Sequence, residues 1–117
     1  MTKEEMKART KKYALRVIKV VQALPNDRVA NVLGSQLLRA GTSVGANYRA
    51  VCRAKSTADF MHKLKIVEEE CDESLFWMEL LIESGILSQK KLGELMKEGG
   101  EILAITVAAL KTTRQSS

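Results

Sequence analysis

At 117 residues the chain has room for one domain of ordinary size and is too short for two well-formed ones. Its 45% hydrophobic and 28% charged residues suit a globular protein with a buried core, whereas one proline and 4% aromatics fit an all-β domain poorly. The net charge of +5 hides a strong segregation: +5 over residues 1–24, +5 over 25–66, −7 over 67–87 and +2 over 88–117.

The spacing predicts a first helix over about residues 3–24. Met6, Tyr13, Val17, Val20, Val21 and Leu24 recur at intervals of three, four and seven, and lysines and arginines fill much of the remainder. Pro25 ends it, because proline disfavours the α conformation in the residue before it. A second helix is expected over about 27–54, capped at Asn26 or Asp27, with Val29, Leu33, Leu37, Ala40, Val44, Tyr48 and Val51 as its buried stripe. Gly34, Gly41 and Gly45 interrupt it at about 1 kcal/mol each relative to alanine. Close approach of a neighbouring helix, or a kink near Gly41-Thr42-Ser43, would offset that cost.

Ser56-Thr57-Ala58-Asp59 reads as a capping-box variant opening a third helix over about 57–83. Its stripe is Phe60, Leu64, Val67, Cys71, Leu75, Met78 and Ile82, and Ser84-Gly85 ends it. Ser88 caps a fourth helix over about 89–111, carrying Leu92, Leu95, Met96, Ile102, Leu103, Ile105 and Leu110, with fraying expected from about Thr112. Short connections then predict an all-α fold: a single antiparallel up-down-up-down four-helix bundle over 1–117. Leu38, Met61, Ile66, Phe76, Trp77, Leu80 and Leu81 lie outside one narrow stripe, and so much apolar surface points to self-association.

No catalytic constellation accompanies this pattern. His62 has only Asp59 as a local acid and no serine or cysteine at helical spacing on its face. The acidic run around Glu68-Glu69-Glu70 lacks the Glu-x-x-His pairs of a di-iron bundle, so no metal site is expected. Cys52 and Cys71 read as core thiols. Gly41-Thr42-Ser43-Val44-Gly45 lacks the lysine of a phosphate loop. Apolar runs fall below the ~18 residues of a membrane span, and no apolar stretch follows the basic N-terminus, so the cytoplasm is the expected compartment. Ser43 and Asn47 share one helix face, and Glu73 is a candidate partner for the Asn47 amide in a structural polar contact.

The segment from Gln36-Leu37 through Arg39-Ala40 and Ser43-Val44 to Asn47 resembles the signature helix of the bacterial four helix bundle protein family. That family is also called the large-subunit ribosomal RNA intervening-sequence protein family. Leu24-Pro25 matches its first turn, Ser56 and Phe60 its next helix start, and Glu70, Asp72, Glu73, Trp77 and Glu79 the acidic helix of one branch. Where many members carry Glu-Gly shortly after the asparagine, this chain has Ala50-Val51 and then Arg53. The resemblance implies an antiparallel bundle assembled as a homopentamer, with no catalytic residue and no known cofactor. Similar bundles include the accessory protein of diversity-generating retroelements, a basic pentamer that binds nucleic acid and a reverse transcriptase.

Two functions follow as expectations. One is electrostatic binding of RNA or DNA through Lys7, Arg9, Lys11, Lys12, Arg16, Lys19, Arg49 and Arg53. The other is a scaffold or adaptor whose basic face pairs with the acidic helix of a neighbouring subunit or protein partner.

Overall fold

A computed structural model describes residues 1–116. Four helices run up-down-up-down: α1 (Lys3–Gln22), α2 (Arg28–Val51), α3 (Thr57–Glu83) and α4 (Gln89–Ser116). They form a rod of 47 × 20 × 20 Å with no strand among the described residues. Each helix begins on an oxygen that accepts an otherwise orphaned N–H. Thr2 Oγ1 accepts from Glu5 N at 3.1 Å, Asp27 Oδ1 from Ala30 N at 2.9 Å and Ser56 Oγ from Asp59 N at 3.0 Å. Ser88 Oγ accepts from Lys91 N at 3.3 Å. The Asp59 carboxylate returns to the Lys55 N–H at 3.0 Å, and the Lys63 ammonium, with that N–H, holds it below its ordinary pKa.

Gly85 turns the chain out of α3 with φ +82°, and the Leu87 N–H closes onto the Leu81 carbonyl at 3.0 Å. A Cβ there would meet nothing within 4 Å, so only backbone strain opposes a side chain. Gly85→Ala is therefore expected to destabilise by about 1 kcal/mol, with Gly85→Asn milder, as read by urea denaturation.

The core follows the apolar stripes with local departures. Val29, expected inside, is 54% exposed, and Ala30 takes the buried position. Leu81, expected off the stripe, is fully buried, whereas Phe60, Leu75 and Ile82 are half-buried. Cys71 lies in the core, but Cys52 is only half-buried. α4 stays helical to Ser116 instead of fraying near Thr112, and α2 ends at Val51 without breaking at its glycines.

Those glycines bring helices together. A Cβ on Gly41 would stand 2.8 Å from both Val17 methyls, and one on Gly45 3.2 Å from the Thr10 carbonyl oxygen. From the same buried side of α1, Tyr13 crosses the core to share a 2.8 Å hydrogen bond with Ser74, which also donates to the Cys71 carbonyl at 2.6 Å. The Cys71 thiol continues the chain to the Gly99 carbonyl at 3.3 Å. Every polar group in this core strip has a partner, as burial requires.

Candidate functional site

Because Gly45 lets α2 lie against α1, the outer junction of the two helices is a shallow groove floored by small residues such as Ala46 and Ala50. Two open depressions of about 600 and 520 Å³ share Glu4, Lys7, Ala46 and Arg49, and so form one continuous channel. Lys3, Lys7 and Lys11 line its α1 side, four residues and about 6 Å apart per step. Arg49 and Arg53 line the opposite side, also four residues apart. Glu4 is the single acid among the lining residues, with its carboxylate 3.6 Å from the Lys7 ammonium. No aromatic side chain lines the channel.

The eight expected cations are thus divided. Lys7, Lys11, Arg49 and Arg53 meet in the groove, joined by Lys3, which the sequence reading passed over despite its place in the Lys3-Lys7-Lys11 series. Arg9 turns the other way. Its guanidinium grips Glu98 of α4 through two bonds of 2.7 and 2.8 Å and lies 3.5 Å from Glu101. Arg16 and Lys12 also attract the Glu98 carboxylate, and Lys19 is exposed further along α1.

The Arg9 hydrogen bond, against the opposing effect of burial, holds the Glu98 carboxyl below its ordinary value of 4.5. Its contribution to stability is therefore present above that value and is lost as pH falls below it. Glu98→Gln should flatten the fall in stability with pH below 4.5, measured as urea midpoints across an acid series.

The expected polar contact of Asn47 with Glu73 is not made. Asn47 Nδ2 donates to the Ser43 carbonyl at 2.8 Å, and Ser43 Oγ donates to the Arg39 carbonyl at 2.6 Å, so both are satisfied within α2. Glu73 instead receives the Arg39 guanidinium and, at 3.2 Å, the Trp77 indole N–H. Arg39 also reaches Glu70 at 3.2 Å. A charged donor from α2 thus takes the carboxylate, while a backbone carbonyl one turn back suffices for the amide.

Burial raises the Cys71 thiol to about 12, so little thiolate exists near neutrality. His62 is exposed, and its nearby acid Asp59 is bonded to Lys63 at 2.6 Å. Among the described residues no group of three His, Cys, Asp or Glu side chains is placed to hold a metal ion. Among the described residues no helix is long and apolar enough to cross a membrane. What the groove can do chemically is attract anions along a line.

The model of the 23S rRNA-intervening sequence protein family matches residues 2–108. A crystal structure of a protein of unknown function from the S23 ribosomal protein family of Bacteroides thetaiotaomicron is 32% identical and superposes with a TM-score of 0.88. The alignment covers 95% of this chain and 99% of that one. No curated protein matches. The family match over most of the chain agrees with the helix order and packing described above, and this protein belongs to the 23S rRNA-intervening sequence protein family.

Proposed function

We propose that this protein is a non-enzymatic, self-associating helical bundle that binds the phosphate backbone of RNA or DNA along the α1–α2 groove. One observation carries the reading. Lys3, Lys11, Arg49 and Arg53 converge on one channel without an ion pair among the described residues, while Arg9 and Arg39 are held by carboxylates of the bundle. Two rows of cations flanking a floor of small side chains suit a polyanion, and the absence of lining aromatics favours backbone contact over base stacking. The two free thiols, Cys52 and Cys71, fit a reducing cytoplasm.

Fluorescence anisotropy with labelled RNA and DNA across a salt series tests this. Five phosphate contacts give a slope of log affinity against log salt of about −3.5 for single strands and about −4.5 for duplex. Base sequence should matter little. Absence of binding at about 50 mM salt overturns the reading.

The scaffold reading also draws on an observation. The outer acids of α3, among them Glu69, Asp72 and Glu79, are exposed and make no ion pair among the described residues, and so offer a surface to cations of another subunit or protein. The family resemblance supports five copies. Sedimentation equilibrium reads that number directly, and a monomeric mass removes self-association.

A further inference from the structure

Two exposed stripes on opposite corners of the bundle match each other at three positions. On α3, Glu69, Asp72, Phe76, Glu79 and Glu83 recur at intervals of three and four, are all exposed, and lie opposite the buried side of Val67, Cys71 and Met78. Phe76 is 49% exposed at the centre of this acidic row. On α1, Lys12, Leu15 and Lys19 form an exposed stripe opposite the buried side of Met6, Tyr13 and Val17, with Leu15 54% exposed between two lysines. None of the four carboxylates or two lysines makes an ion pair among the described residues.

We infer that α1 of one copy docks antiparallel on α3 of a second copy, with Leu15 against Phe76, Lys12 against Glu79 and Lys19 against Asp72. Orientation follows from the spacing. Lys12 and Lys19 stand three residues before and four after Leu15, while Asp72 and Glu79 stand four before and three after Phe76. Only reversed directions superpose these intervals. A parallel pairing would set Lys12 against Glu73, already bonded to Arg39 and Trp77, and Lys19 against Leu80.

The two stripes cannot meet within one chain. α1 packs on α2 and α4, and so does α3, so the pair lies diagonally across the bundle with outer faces turned apart. Contact between different faces leaves each copy one free stripe of either kind, so it propagates head to tail. The pairing rests on the self-association reading and makes it specific. Lys3, Lys7, Arg49 and Arg53 stand outside the pairing, whereas Ala8 and Lys11, which line one end of the groove, border it.

Charge exchange in sedimentation equilibrium without nucleic acid tests the pairing. The double variant Lys12→Glu/Lys19→Glu and the double variant Asp72→Lys/Glu79→Lys should each weaken association at least about tenfold, because each faces like charge with like. Mixed in equal amounts they should associate with each other in alternation, each supplying the other's complement, although a closed ring of five cannot alternate the two. Leu15→Asp should weaken association similarly. All five positions are exposed, so circular dichroism should show the helices intact in every variant. A monomeric wild-type protein overturns the self-association reading and this contact together. Wild-type assembly that either double variant retains, or a mixture in which the two variants do not associate with each other, overturns the contact alone.

Discussion

Reversing two groove cations together, Lys7→Glu with Arg49→Glu, is expected to lower affinity for a nucleic-acid strand by at least about a hundredfold at low salt. Lys7 and Arg49 both line the two depressions that make up the channel, so a strand following it passes between them. Two of five attractive charges become repulsive there. The neutral pair, Lys7→Ala with Arg49→Ala, should instead reduce the steepness of the salt dependence by about 2, one for each lost phosphate contact. Slope and affinity then report the same contacts by separate routes. Lys90→Glu with Lys91→Glu, at the exposed start of α4, is the control and should leave affinity nearly unchanged. Glu4→Gln should tighten binding modestly, since Glu4 is the single acid among the residues lining the channel. Equal losses in the groove and control pairs, read by anisotropy, would show attraction to net charge alone.

How far the sequence disclosed this site depends on which neighbour each charge meets. Residue spacing separates Lys3, Lys7 and Lys11 from Arg9 and Arg16 as two flanks of one helix, because four residues advance little more than a turn. What spacing cannot say is that the second flank faces Glu98. That requires the register of α1 against α4, elements separated by 89 residues in the Arg9–Glu98 pair. Asn47 and Glu73 fail for the same reason. The amide found a carbonyl within its own helix, a local option open at every helical position, and the carboxylate answered Arg39 across the α2–α3 seam.

The helices themselves were more legible because their signals are local. Caps, Pro25 and Gly85 act within a turn of themselves, and the apolar intervals are written in the chain. Val29 and Ala30 show the limit, since a stripe at period 3.6 drifts and either residue can satisfy it near a helix start. The small residues of the packing surface carry no hydrophobic signal. Gly41 and Gly45 interrupt the stripe of α2 and leave close approach of a neighbouring helix or a kink as alternatives; the structure shows close approach, with Val17 and the Thr10 backbone in the space a side chain would fill.

Tyr13→Ala is expected to cost about 4 kcal/mol, a large share of the stability of a domain this size. The ring is fully buried. One edge rests on Gly99, so closely that a Cβ at that glycine would stand 2.7 Å from the Tyr13 hydroxyl and 3.2 Å from Cε1. Truncation therefore opens a cavity between α1 and α4 that the rigid glycine backbone cannot fill. Tyr13→Phe should cost only about 1 kcal/mol, because Ser74 keeps its 2.6 Å bond to the Cys71 carbonyl. Gly99→Ala separates packing from propensity. Alanine favours the helix by about 1 kcal/mol, yet its methyl would meet the Tyr13 hydroxyl at 2.7 Å and Leu75 Cδ2 at 2.9 Å, so the net effect should be destabilising. In the Tyr13→Ala background that penalty should shrink, since much of the obstruction is gone. A double-mutant cycle by urea denaturation, at one fixed protein concentration, measures the difference. Strict additivity of the two substitutions would mean that the Tyr13 ring and the Gly99 backbone do not share this space, and the α1–α4 seam would need another explanation.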